Sequence, residues 1–531
     1  MRDIDDSQTL GCEGVSRSVG SGSYFATRTV LNSETSPQQS DYDADDELPD
    51  NDTILHAILV PNYKEDIDTL METLDVLASH RQARLCYEVY LAMEENEIGS
   101  DQKAMNLRTK YASAFHWIDY TVHPAHIPGE AAGKSSNLSW AAKKASHRYT
   151  KLGLENSVIV TVMDADTHLM SNYFILVSKM HLEHSTTSSS TIYVPPIVFD
   201  RNSNRVPRFV RMADILWCCA GLSGLHRSST VAPPTSVYSL PLTLVDYVDG
   251  WDASPEAIGE DLHMYLKCLI KLQGNLHVQR VVSAASQTDV HSTGRTWIEY
   301  IRSSYGARYK QALRHMWGML DTGYALRHIS ILLWYSIFSG STRPSVPNDG
   351  GGFRESHISS SKSVGFRTGF CNYSVLITLM FRLYEAHFLP VHLTVMILAS
   401  SLFPVVHTDA QMLPILAWTF TLTQYFRLLG YLLILCVFHS YMKFHSLCLQ
   451  KRKQEMTVAG LADQMYLNDG FAGRNRFDWL ECLLFPIAGT LFGSIPAFHA
   501  QLAHFYTTRL EYAVSLKPGR KCDQLEDGLL S

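Results

Sequence analysis

Val158–Ile159–Val160–Thr161–Val162–Met163 runs directly into Asp164–Ala165–Asp166, and the fold is read outward from this junction. Six mostly β-branched apolar residues specify a strand buried on both faces, as in a largely parallel sheet covered by helices. Carboxylates at the carboxyl end of such a strand stand where open α/β sheets bind their ligands. A hard divalent cation that also binds phosphate oxygens is the usual object of such a pair, because it takes one or two protein carboxylates and leaves the rest of its shell to substrate. A pair of solvated turn aspartates is the plain alternative for so short a pattern.

A second acidic motif follows. Gly259–Glu260–Asp261 opens a helix-like stretch, Leu262 to Leu272, after the turn-rich Gly250–Trp251–Asp252–Ala253–Ser254–Pro255. Acids in a first helical turn are also favoured by the helix dipole alone. Further on lies a basic, aromatic cluster, Arg308–Tyr309–Lys310–Gln311–Ala312–Leu313–Arg314–His315–Met316–Trp317. A strand ending in D-x-D, a later E-D at a helix start and a downstream Gln/Arg/Trp cluster together resemble the ordered signature of membrane-bound family 2 glycosyltransferases. The cellulose, chitin and hyaluronan synthases belong to that family.

The resemblance implies a Rossmann-like nucleotide-diphospho-sugar transferase domain of the GT-A type, α/β in class, followed by C-terminal transmembrane helices. It implies an inverting hexosyltransferase for polysaccharide or glycan synthesis that uses a UDP-sugar and a Mg2+ or Mn2+ ion. Asp166 is then the metal ligand, and Asp164 contacts the ribose, the metal or a metal-bound water. Asp261 is the general base beside Glu260. Val60–Pro61–Asn62–Tyr63–Lys64–Glu65 resembles the family's P-x-Y-x-E motif, so Pro61, Tyr63 and Glu65 are assigned to the nucleotide; a turn followed by a helix-start acid is the other reading. Gly133–Lys134–Ser135–Ser136–Asn137 resembles K-x-x-N, with Lys134 at a helix start suited to a phosphate. A solvated lysine is its alternative.

Two positions depart from the family pattern. Where the second strand of the family ends in aspartate, Leu91–Ala92–Met93–Glu94–Glu95–Asn96 offers Glu94 or Glu95. In the Q-x-x-R-W element Gln311 and Arg314 fit, but His315 takes the tryptophan position, leaving Trp317 to supply an aromatic wall. These departures keep two other readings open. One is a dolichyl-phosphate sugar transferase, whose lipid phosphate acceptor needs no general base; the other is a catalytically degenerate membrane scaffold. His168 is expected at the surface, and Arg302 and Arg308 on neighbouring turns as interfacial anchors.

At 531 residues the chain exceeds one ordinary domain. Its net charge of −7 is concentrated in residues 1–52, where twelve acids face three arginines; that segment carries −9 and the remainder about +2. With few apolar residues it reads as a disordered acidic tail without a signal peptide. Nothing points to nucleic acid. The ten cysteines have no C-x-x-C spacing, which argues against a zinc site or a disulfide framework.

The expected organisation is a catalytic domain over 53–290, interface helices over 291–338, a Ser/Gly/Pro-rich linker over 339–370, a transmembrane region over 371–506 and a tail over 507–531. Within the catalytic part, Ile54 to Pro61, Tyr87 to Met93, Ser157 to Met163 and Thr191 to Val194 read as strands. Glu65 to His80, with apolar Ile67, Leu70, Met71, Leu74 and Leu77 at helical spacing, reads as a helix, as do Ser135 to Tyr149 and Asn172 to His184. Val206 to Pro241 has no clear period.

Membrane candidates are Phe388 to Val406, Met412 to Tyr441 and Trp479 to Phe505. Lys443, Lys451, Arg452, Lys453, Arg474 and Arg476 follow the second, whereas His407 to Gln411 carries no Lys or Arg. Positive-inside logic then puts 442–478, and by counting back the catalytic domain, in the cytosol of a plasma, Golgi or ER membrane. The expected partners are the UDP-sugar donor, a glycan or lipid acceptor and membrane lipids. A processive synthase normally needs more spans than these, so the chain oligomerises, works with a partner subunit, or adds single sugars.

Overall fold

The computed structural model describes residues 54–131, 133–203, 206–290, 296–338, 370–406, 414–462 and 478–507. The acidic tail, nearly all of the linker and the C-terminal tail lie outside the described residues.

A seven-stranded sheet of order β3-β2-β1-β4-β7-β5-β8 organises residues 55–280. The first half contains β1 (Leu55–Pro61), α1 (Ile67–Ala78), α2 (Ala83–Cys86), β2 (Tyr87–Glu94), α3 (Ser100–Tyr111) and β3 (Trp117–His123). Next come α4 (Lys134–Leu152), β4 (Val158–Val162), α5 (Ser171–Glu183) and β5 (Thr191–Val194). β1, β2, β3 and β4 run parallel. The expectation of a largely parallel sheet holds with one exception: β7 (Tyr238–Pro241) is antiparallel to both β4 and β5. It and α6 (Arg208–Ser223) arise from the aperiodic stretch, followed by α7 (Leu242–Val248) and α8 (Glu260–Lys271). β8 (His277–Arg280) pairs with β5, and a two-stranded sheet joins β6 (Ile197–Phe199) to β9 (Ala285–Gln287).

The junction strand is buried on both faces because its side chains alternate between two cores. Val158, Val160 and Val162 enter one with Leu138, Tyr238 and Leu266, while Ile159 and Met163 enter the other with Tyr173, Phe174 and Tyr193. Each such valine contributes about 1.5 kcal/mol by leaving water. The strand ends at Val162, which presents the aspartates at the sheet's carboxyl edge.

Neither core stops at residue 290. α9 (Trp297–Trp317), α10 (Met319–Phe338) and α11 (Tyr373–His387) follow, and Ala325, Ile329, Leu376 and Leu379 of the latter two belong to the core on the β4 valine side. α13 (Pro414–Val458) sends Phe438 and Tyr441 into the opposite core.

Among the described residues, two helices are long and apolar enough to cross a membrane, Pro414–Val458 and Leu480–Ala503. The expected first span differs. α12 (Leu389–Val406) meets the criterion only together with α11, and the pair is bent by 54° at the break, as a broken span or a re-entrant loop would be. The last span is also irregular, with α14 (Phe485–Gly489) and α15 (Ile495–Ala503) joined by a π turn. Glu481 at its start is no orphan charge: its carboxylate accepts a forked pair of hydrogen bonds from Arg211 of α6, at 2.8 and 2.5 Å. The basic run after the second span belongs to α13 itself, and Arg452 within it is buried, so it is not a loop charge. Arg474 and Arg476 lie outside the described residues.

Candidate active site

The acidic motifs share one cavity of about 750 Å³ at the carboxyl edge of the sheet. Pro61, Tyr63, Glu65, Glu94, Lys134, Asp164, Asp166, Glu260, Asp261, Gln311 and Arg314 all line it. Residues scattered over some 250 positions are brought together because β1, β2 and β4 end side by side and α8 opens opposite them.

Lys134 ties the two acidic motifs. From the first turn of α4 its Nζ reaches Asp164 Oδ1 at 2.8 Å and Glu260 Oε2 at 2.9 Å, and donates to the Ser236 carbonyl at 3.2 Å. Burial works against this ammonium, but Asp164, Glu260 and Asp261 outweigh it and hold its pKa above the ordinary lysine value. Glu260 is buried and accepts from Tyr238 Oη and Trp251 Nε1; burial raises its pKa despite Lys134. Asp261 does serve the helix start as well, since Oδ1 accepts from Leu262 N at 2.9 Å and Oδ2 from Ser236 N at 2.6 Å. The Asn137 amide donates to the Ala92 carbonyl at 2.8 Å, fastening α4 to β2.

On the opposite wall, Glu65 Oε2 accepts from Asn62 Nδ2 at 2.7 Å and Tyr63 N at 2.6 Å, folding the turn after β1 back on itself. Lys103 of α3 clamps that turn through Asn62 Oδ1 and the Glu65 carbonyl. Burial, with the Asp166 charge adding to it, pushes the Glu65 carboxyl up to about 7 against the hydrogen bonds and Lys103. At the end of β2 it is Glu94, not Glu95, that lines the cavity. Its carboxylate meets His123 Nδ1 at 3.0 Å, and the other ring nitrogen meets Glu130 at 3.0 Å. Burial lowers the His123 pKa, but the two carboxylates overcome it and the net direction is upward.

Asp166 is buried and accepts from the hydroxyl and backbone N–H of Thr288, just past β9, with Arg201 Nη2 at 3.9 Å. Gln287 Nε2 reaches Asp164 Oδ2 at 3.3 Å. Among the described residues no group of three or more His, Cys, Asp or Glu could by itself hold a metal ion. The residues present nonetheless suit one that shares its shell with a substrate. Seven carboxylates line the cavity (Glu65, Glu94, Asp164, Asp166, Glu260, Asp261, Glu385) against Lys134, Arg314 and Arg382. A diphosphate would be repelled from so acidic a wall without a countercation, and hard oxygen donors are what Mg2+ and Mn2+ take.

Three expectations are corrected. Trp317 does not line the cavity; it is 3% exposed, with the His504 ring edge-on at 4.5 Å. Trp217 of α6 lines it instead, beside Tyr63 and Phe199, and stacks on His315 at 4.4 Å and 25°. His168 is wholly buried instead of a surface residue, its Nε2 accepting from Arg201 Nη1 at 2.9 Å. Arg308 is no interfacial anchor: it pairs with buried Asp214 at 3.0 Å and donates to Gln311. Trp217, Lys103, His123, Arg201, Gln287 and Thr288 went unnoticed in the sequence. No short motif marks them, and only β6 and β9, weak strands of three residues each, bring the last three to the site.

The mixed sheet with its helices and the lysine that bridges two acidic motifs have the form of a GT-A nucleotide-sugar transferase fold. The description "Glycosyl transferase family group 2" matches residues 159–442, more than half of the sequence, and the chain belongs to that family. It is a glycosyltransferase. A comparison with curated proteins finds no match. Among solved structures it is similar to a mannosyltransferase from Pyrobaculum calidifontis in complex with GDP-Man and Mn2+, at 13% identity over 53% of this chain and 67% of that one, TM-score 0.33. It is also similar to S. aureus TarS 1-349 in complex with UDP-GlcNAc, at 14% identity over 51% of this chain and 66% of that one, TM-score 0.30. The alignments thus span about two thirds of either relative, and both are distant.

Proposed function

We propose that this chain is a membrane-embedded, inverting glycosyltransferase that moves a sugar from a UDP-sugar to a glycan acceptor, with Asp166 as metal ligand and Asp261 as general base. The observation that carries the reading is Lys134, whose single ammonium bridges Asp164 and Glu260 at 2.8 and 2.9 Å, so that the donor-side and acceptor-side acids face one volume. Tyr63, Glu65 and Glu94 form the wall for the base, and Lys134 with Arg314 faces the diphosphate. A bound Mg2+ or Mn2+ ion would neutralise the leaving diphosphate. Asp261 takes the proton of the acceptor hydroxyl as that oxygen bonds to the anomeric carbon, and the bond from this carbon to the diphosphate breaks on the opposite face. One displacement inverts the configuration. The domain division at 290 and the cytosolic placement of this region belong to the same reading.

The test is nucleotide release by the full chain in membranes, supplied with UDP-glucose and then UDP-GlcNAc, with and without Mn2+. We expect metal-dependent release that falls by about 10²-fold or more in Asp261→Asn, the usual contribution of a general base. No turnover of any nucleotide sugar would sink the reading. One observation favours a second reading: both oxygens of Asp261 already accept backbone N–H groups. If Asp261→Asn keeps full activity, the acceptor is a lipid phosphate of the dolichyl type, which needs no base.

A further inference from the structure

The C-terminal part of α13, itself a membrane candidate, is fastened to β6 and to the segment that follows Asp166. α13 presents His445, Arg452 and Glu455 along one face. His445 Nε2 lies 3.1 Å from the Phe199 carbonyl, and Glu455 accepts from Ser171 N at 2.7 Å. Between them Arg452, 2% exposed, donates Nη2 to the His168 carbonyl at 3.0 Å and sets Nε 3.3 Å from Asp200 Oδ2.

Those two contacts reach Asp166 by short steps. Asp200 accepts from the Ser286 hydroxyl, and Ser286 pairs with His168 through both backbone hydrogen bonds, at 2.8 and 3.0 Å. Two residues past Ser286, Thr288 donates to Asp166. Arg201, beside Asp200, binds the His168 ring and stands 3.9 Å from Asp166. No residue of α13 lines the cavity, so Arg452 acts on it only through this buried set. Buried ionic sets of this kind are fragile: removing one charge leaves its partner uncompensated and free to draw in another cation. Without Arg452, the cation at hand for Asp200 is Arg201, and the Asp166 carboxylate moves with it.

We propose that Arg452 is a positioning residue of the donor site, through which the membrane helix holds Asp166 ready for a metal-bound nucleoside diphosphate. The inference rests on the metal-dependent reading above. It predicts a binding effect, because partners that orient a ligand carboxylate are typically worth about 10- to 100-fold in metal affinity.

The test measures Mn2+ binding, in the presence of UDP, by electron paramagnetic resonance on the detergent-solubilised full chain. Asp166→Asn is the reference and should abolish the bound signal. Arg452→Met should weaken Mn2+ about tenfold or more. Arg452→Met/Asp200→Asn, which removes both charges of the pair, should return to within about threefold of wild type. Arg452→Lys, which keeps the charge but cannot span both partners, should fall between and decides the matter if Arg452→Met does not accumulate. A lowered melting temperature with unchanged Mn2+ binding in Arg452→Met, or wild-type binding in Arg452→Lys where Met fails, overturns the positioning role alone. Wild-type binding in Asp166→Asn overturns the metal reading with it.

Discussion

Lys134 is the residue on which the acid pairs depend. One ammonium sits between Asp164 and Glu260 and offsets their mutual repulsion. Lys134→Met leaves Glu260 buried opposite two further carboxylates and should cost about 3 kcal/mol of stability, the scale for breaking a buried ion pair. Lys134→Met/Glu260→Gln should recover most of that loss in a thermal melt while remaining inactive, which separates the structural from the functional share of the lysine. Asp166 offers a contrast: its neighbours Thr288 and Arg201 come from distant segments, so no local pattern in the sequence announces them.

His263, also at the residue scale, gives a pH signature. Its ring lies between Asp321 Oδ1 at 2.6 Å and Asp252 Oδ2 at 3.0 Å. Burial opposes its charge, but the two carboxylates prevail and push its pKa up to about 9. A raised histidine pKa favours the folded state fully below the unfolded value of 6.5, and that contribution disappears as pH rises through about 9. Burial raises Asp321 to about 6, so its own window closes lower. The melting temperature should therefore fall between pH 6.5 and 9, and His263→Asn should flatten that slope. An unchanged slope in the variant would remove His263 from the account.

At the scale of elements, the contact of α6 with α9 relocates an aromatic wall. The helix at 297–317 follows from its own pattern, and Gln311 and Arg314 reach the cavity as their motif implied. The motif placed its aromatic partner one step along the same helix, at Trp317, whereas packing turns that residue towards His504. Trp217, from the stretch without a readable period, stacks on His315 instead. If this face receives the acceptor, Trp217→Ala should raise the acceptor KM about tenfold, the size of one aromatic stacking contact, with donor KM unchanged. Trp217→Phe should keep most of the affinity. An equal rise in donor KM would assign the ring to the nucleotide instead.

At the scale of the whole molecule, α10 and α11 pack into one core of the sheet and α13 into the other, so the apolar helices and the sheet share both cores. The cavity reflects this, since Arg382, Leu383, Glu385, Ala386 and His387 of α11 line its far side, next to the 54° bend. If the catalytic region faces the cytosol, sealed vesicles with their cytosolic face outward should use an impermeant UDP-sugar without detergent. Activity that appears only after permeabilisation would reverse the proposed orientation.

Strand β4, its aspartates, the first helix stripe and the last two apolar stretches were legible in the sequence, because each is encoded by neighbours or by a fixed period along the chain. Antiparallel β7, the short pair β6 and β9, and the break between α11 and α12 were not, because elements of three or four residues take their conformation from the partners they meet. The chain alone thus named Asp164, Asp166, Glu260, Asp261, Lys134 and Arg314 for the site, but not Glu385 or Arg382, which also line it. Tertiary structure decided which side chains meet: Lys134 between Asp164 and Glu260, Trp217 on His315, and Arg452 against the His168 carbonyl and Asp200. Those pairings join segments up to hundreds of residues apart, and electrostatic and packing energies act through distance in space, on which separation along the chain has no bearing.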